Sequence, residues 1–115
     1  MTKSILRDKS YKFSIHIVKV CQKLVMEKEF VLSKQLLRSG TAIGALIREA
    51  EFAESKKDFA HKMSIALKEA NESVYWLDLM KDTELIEVEI YKPIHSLNKE
   101  LVAMLVSTIK TTKNK

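Results

Sequence analysis

The sequence predicts an all-α fold: one antiparallel four-helix bundle with its helices running up-down-up-down. Three observations carry the prediction. The chain has 115 residues, the length of a single domain with one core. It holds only two glycines and one proline, so little interrupts a helix. Its apolar residues, 46% of the total, recur at spacings of three and four rather than two.

Helix one is expected from about Ser10 to Lys28, where Phe13, Ile17, Val18, Cys21, Leu24 and Val25 share one face. Residues 1–8 before it are expected to fray. Helix two follows the Glu27-Lys28-Glu29-Phe30 connection and runs from Val31 to about Glu54, with Leu36, Ile43, Ile47 and Ala50 on its stripe. Gly40 and Gly44 lie four apart inside it, each costing about 1 kcal/mol relative to alanine. Close approach of a neighbouring helix would offset that cost; a kink at Ser39-Gly40 is the alternative. Helix three is capped by Ser55 and carries Asp58 in its first turn, where the helix dipole favours an acid. It extends to about Asp82 with Phe59, Met63, Ala66, Ala70, Val74 and Leu77 inward. Helix four is expected from about Glu89 to Lys110, with Ile94, Leu97, Leu101, Met104 or Leu105, and Thr108 on its stripe. Pro93 sets its start, because an earlier one would place the proline where it kinks the helix. Residues 111–115 are expected to fray, so residues 1–115 form one domain with loose ends.

Helix three is apolar on a second side. Ile65, Tyr75, Trp76 and Leu79 fall roughly opposite the Phe59 stripe, a surface that a four-helix monomer does not need. They are the candidate interface of a homo-oligomer, since exposed aromatic patches mark interfaces.

The search for chemistry excludes more than it finds. His16, His61 and His95 lie on different helices and form no HExxH or CxxC-linked pattern, and Asp58-x-x-His61 supplies one partial di-iron motif where two are needed. No metal and no cofactor is expected. Glu49, Glu69 and Glu72 could approach one another as paired acids, but interhelical bonds to Arg38, Arg48 or Lys68 explain them without catalysis. No nucleophile and base stand together, so the chain is read as not an enzyme. Cys21 is the single cysteine and sits among apolar residues, as a buried thiol does. Nowhere do about 18 apolar residues run without a charge, and the N-terminus lacks a signal-peptide pattern. A cytoplasmic protein with no membrane partner is expected.

The net charge is +5, and its distribution is informative. Residues 1–30 hold seven Lys/Arg against three Asp/Glu, hence +4, whereas residues 31–83 hold eight of each. On helix one, Lys12, His16, Lys19 and Lys23 fall within about 60 degrees of one another, and no acid interrupts residues 9–26. A one-sign stripe attracts phosphates, so these four are the candidate contacts to RNA or DNA. The alternative is a protein-interaction scaffold whose lysines keep it soluble.

The centre of the chain reads Gln35-Leu36-Leu37-Arg38-Ser39-Gly40-Thr41-Ala42-Ile43-Gly44-Ala45, then Arg48-Glu49-Ala50, Lys57-Asp58-Phe59, Ile65-Ala66-Leu67-Lys68-Glu69-Ala70 and Tyr75-Trp76-Leu77. From about Ser10 to Leu105 it resembles the bacterial four-helix bundle family first met as proteins encoded in intervening sequences of 23S ribosomal RNA genes. The resemblance implies a ring-like homopentamer. It also links the chain to the accessory protein of diversity-generating retroelements, a related basic pentamer that binds nucleic acid and a reverse transcriptase. By position, Arg38, Ser39, Gly40, Gly44, Glu49 and Glu69 match the motif, and the resemblance implies structural roles for them. The family usually has Ser where this chain has Ala42, Asn where it has Leu46 and Thr where it has Ser73, which implies a more apolar core here.

Overall fold

Helical periodicity becomes four helices in the computed structural model, which describes residues 2–114 and the side chains of residues 5–114. They are α1 (Thr2–Met26), α2 (Phe30–Ala50), α3 (Lys56–Asp82) and α4 (Val88–Lys113), and no strand occurs among the described residues. Each helix packs on its neighbours in sequence, and α1 closes on α4; among the described residues the backbones of diagonal helices do not approach closely. The α1/α4 seam is the thinnest of the four.

Phe13, Ile17, Leu24, Leu36, Ile43, Ile47, Met63, Leu77, Ile94 and Leu101 are fully buried at the centre. Two residues expected on the α1 core stripe are not there: Val18 is 38% exposed and Val25 is 47% exposed. At 100 degrees per residue both lie about 80–100 degrees from Ile17. The buried sector is completed instead by Leu6 and Val20.

The ends are more ordered than expected. α1 is helical from Thr2, and Leu6 is buried against the core cluster, so residues 5–8 are held by packing rather than frayed. Arg7 to Glu51 and Lys9 to Glu100 tie the same turns to the rest of the chain. At the other end α4 continues to Lys113; Met1 and Lys115 lie outside the described residues. α4 also starts one residue earlier than expected, at Val88, so Pro93 lies within the second turn. Its ring deprives the Glu89 carbonyl of the usual N–H, at a turn where both residues are exposed.

Local chemistry explains the boundaries. The Ser55 hydroxyl accepts from the Asp58 N–H at 3.0 Å, and the Asp58 carboxylate accepts from the Glu54 N–H at 3.1 Å, a reciprocal cap that starts α3. α1 and α3 both end on a residue with left-handed backbone, Lys28 at φ 67° and Glu84 at φ 61°. The bonds from Glu29 N–H to the Leu24 carbonyl and from Leu85 N–H to the Met80 carbonyl, each 2.8 Å, close two Schellman turns in which glycine is the usual residue.

The two glycines of α2 differ in what they meet. A Cβ on Gly40 would lie 2.8 Å from both Cγ atoms of Ile17, so α1 and α2 touch there only because the side chain is absent. A Cβ on Gly44 would find ordinary contacts, 3.5 Å from the Ser10 carbonyl and from the Ser14 hydroxyl. Gly44→Ala is therefore expected to stabilise the fold by up to about 1 kcal/mol through helix propensity, read as a higher urea midpoint with an unchanged m-value.

Candidate functional site

The predicted basic stripe lies along one side of α1. Lys12, Lys19 and Lys23 are exposed and His16 is half-buried. Among the described residues none of these lysines has an ion-pair partner, whereas Lys9 beside them is held by Glu100 at 2.6 Å. On α4, Lys92 and Lys99 are exposed and equally unpaired, but at 100 degrees per residue they lie about 130–150 degrees from the face that meets α1. These two escaped sequence reasoning. Their spacing of seven on one helix face was the available signal, masked by Glu89 and Glu100 on the same helix.

His16, Lys19 and Lys23 also form one rim of a groove between α1 and α4. Its volume is about 350 Å³, its other charged residue is Glu89, and its walls are Val20, Leu24, Leu85, Ile86, Ile90, Pro93 and Ile94. The groove exists because the α1/α4 seam is thin along these two turns of each helix. The arrangement is an apolar trough fringed by His16, Lys19, Lys23 and Glu89. A second, more open hollow gathers Lys56, Lys57, His61 and Lys113 where α3 begins and α4 ends. There Asp58 serves the α3 cap, not a partnership with His61.

Of the acids singled out in the sequence, the fold brings Glu69 and Glu72 together and leaves Glu49 apart. Glu69 and Glu72 on α3 both meet Arg38 on α2; the guanidinium donates to Glu69 at 3.2 Å and to Glu72. The Trp76 indole donates to Glu72 at 3.0 Å, and this bond, with that from Arg38, holds the Glu72 carboxyl below the usual carboxylate range. Glu49 instead pairs with Lys62 at 3.3 Å, and Arg48 lies over the Tyr11 ring. Beneath Arg38, the Ser73 hydroxyl donates to Ser39 at 2.9 Å within the core. Arg38, Ser39, Glu69 and Ser73 thus form a polar clasp across the α2/α3 seam, with Gly40 turned to α1. Across the next seam Tyr91 donates to Asp78 and stacks on His95, and burial with Asp78 pushes its hydroxyl up to about 12. Among the described residues no three His, Cys, Asp or Glu side chains gather as a metal-binding group.

Cys21 is buried, and its thiol donates to the Ser33 carbonyl at 3.3 Å. Burial pushes its pKa from the ordinary 9.0 to about 11. Two pH units mean about 100-fold less thiolate at pH 8. Labelling by Ellman's reagent is accordingly expected to be slower in the native protein than in urea by at least that factor; equal rates would place the thiol in reach of solvent.

The apolar surface is distributed differently from the pattern on α3. Of Ile65, Tyr75, Trp76 and Leu79, Tyr75 is 59% exposed and the other three are half-buried, with Trp76 packed on the core cluster. A longer exposed apolar run lies on α1 and α2: Tyr11, Ile15, Val18, Val25 and Met26 at helical spacing, with Leu37 beside them. Val18, Cys21, Val25, Met26 and Leu37 line a shallow hollow there.

The chain is similar to known proteins over nearly its whole length. The family description 23S rRNA-intervening sequence protein matches residues 2–107. A crystal structure of a protein with unknown function, from the S23 ribosomal protein family of Bacteroides thetaiotaomicron VPI-5482, is 51% identical with a TM-score of 0.92. The match covers 96% of this chain and 99% of that one. Among curated proteins none matches.

Proposed function

The chain belongs to the 23S rRNA-intervening sequence protein family, and from that footing we propose that it is a non-enzymatic, homo-oligomeric bundle that binds RNA or DNA through the basic side of α1. The observation that supports this reading is the row of unpaired lysines on α1, Lys12, Lys19 and Lys23. A charge that serves stability is usually met by an opposite one, as Arg38 is by Glu69 and Glu72. A row of cations left without partners keeps a positive field outward, where phosphates can release their counterions.

Assembly follows from the apolar surface. A run such as Tyr11, Ile15, Val18 and Val25 is costly to leave in water and suits coverage by another copy. Cyclic assembly into a pentamer brings several basic sides to one ligand. We read the helices as alternating in direction, because connections of three to five residues cannot span the length of a helix of 21 residues or more. The same apolar run favours a second reading, a scaffold that holds a protein partner without nucleic acid.

Sedimentation of the purified protein with structured RNA and with duplex DNA, at low and physiological salt, tests the proposal. The expected result is an oligomer that co-sediments with nucleic acid at low salt and releases it as salt rises. In the Lys12→Glu, Lys19→Glu, Lys23→Glu variant the slope of log affinity against log salt is expected to shrink by about 2–3 units, about 0.9 for each phosphate no longer neutralised. An unchanged slope removes α1 from the interface. An oligomer indifferent to nucleic acid at low salt leaves the scaffold reading.

A further inference from the structure

We infer that the groove between α1 and α4 takes in an unstacked base, so that the protein prefers single-stranded nucleic acid to a duplex. This rests on the reading of the basic side as a nucleic-acid surface and goes beyond it, because phosphate attraction alone does not distinguish strand from duplex. The deciding feature is what lies between the cations. Lys19 and Lys23 stand about 6 Å apart along the α1 axis, close to the separation of successive phosphates in an extended strand. Directly beside them the surface turns apolar, through Val20, Leu24, Ile86, Ile90, Pro93 and Ile94.

A duplex keeps its bases stacked inside and offers this surface only phosphate and sugar, so it would leave the trough unfilled. A single strand can hold its phosphates on Lys19 and Lys23 while one base turns into the trough and packs its flat face on aliphatic carbon and the Pro93 ring. Single-stranded chains are commonly held by a cationic track joined to aromatic platforms for base faces, with little regard to sequence; here aliphatic carbon and the Pro93 ring take the place of the platform. His16, on the same rim, adds an imidazole that can stack on the base or meet its edge. The volume of about 350 Å³ lies at the small end of ligand sites, which run from about 300 to 1,000 Å³. The groove spans two turns of each helix, long enough for a base and its phosphates.

The test compares fluorescence anisotropy of a short labelled oligo-dT strand with that of the same strand paired to oligo-dA, using the full chain at one salt concentration. The strand is expected to bind at least about fivefold more tightly, the low end of the effect of one stacked base. Ile90→Gln removes apolar wall without changing charge, and is expected to abolish the preference while leaving duplex binding and the salt slope intact. Pro93→Gln does the same and relieves the helix of its proline, so a loss of preference there cannot come from unfolding. Equal affinity for strand and duplex, both salt-dependent, overturns the inference and leaves the nucleic-acid reading standing. A strand preference that survives both Gln variants also overturns it. An acidic amphipathic peptide that displaces the strand and binds more tightly assigns the groove to a protein ligand. Binding of neither nucleic acid at low salt defeats the underlying reading, and this inference with it.

Discussion

Asn98→Leu is expected to stabilise the bundle by about 1–3 kcal/mol. Asn98 lies on α4 with none of its surface exposed, and neither its Nδ2 nor its Oδ1 has a hydrogen-bond partner within the protein. A side-chain amide stripped of water without replacement bonds costs about 1–3 kcal/mol. Leucine has similar bulk and no polar atoms to satisfy, so it removes the cost without opening a cavity. The gain should appear as a higher urea midpoint at constant m-value and a melting temperature raised by several degrees. Asn98→Asp works in the opposite direction, since it places an ionisable group at the same site. If the leucine variant were less stable, the amide must be satisfied in solution by buried water, and its loss would then be the measured cost.

The second large effect concerns Gly40. Substitution by alanine brings two opposed contributions. Helix propensity favours alanine by about 1 kcal/mol. Against it stands a Cβ placed 2.8 Å from both Cγ atoms of Ile17, with the Ile17 Cβ at 3.2 Å. Ile17 is fully buried and β-branched, so it has essentially one rotamer in a helix and cannot turn away. The helices themselves must part, and overpacking of this kind costs about 1–3 kcal/mol or more. Gly40→Ala is expected to lose about 1–2 kcal/mol and Gly40→Val about 3 kcal/mol. A double-mutant cycle isolates the cause. In an Ile17→Ala background both Cγ atoms are gone, so Gly40→Ala should become neutral or stabilising. Additive losses would show that Gly40 is needed for some reason other than close approach.

These two residues mark the boundary of what the sequence made legible. Gly40 was visible because an internal helix glycine is costly, and the structure decides between its two explanations in favour of close approach. The four helices, the caps at Ser55 and Asp58, and most buried residues follow from periodicity and local chemistry, which act within a few residues. Asn98 carried no such signal: on α4 it falls between Ile94 and Leu101 at helical spacing, but a polar residue in that register reads as surface. Val18 and Val25 were misplaced because a helical wheel gives the angle between residues but not where the neighbouring helices stand. The turn residues were hidden too. Lys28 and Glu84 adopt the backbone that glycine usually supplies, so no composition marks them. On the candidate site, the basic stripe was legible from one helix. The groove beside it was not, because it arises from the gap between α1 and α4, a relation between distant parts of the chain.

That gap bears on how the chain reaches its folded state. Three of the four seams join helices adjacent in sequence, and the remaining one, α1 to α4, is the thinnest. Relative contact order is therefore low, and folding should be fast, in the microsecond to millisecond range of helical bundles. Most of the loop-closure entropy is given up late, when α4 returns to α1 and gains little packing. In native-state hydrogen exchange the α1/α4 side should open before the α2/α3 pair, as a partial unfolding that leaves the polar clasp of Arg38 in place. The surface with the strongest claim to binding would then be the part of the molecule most ready to yield.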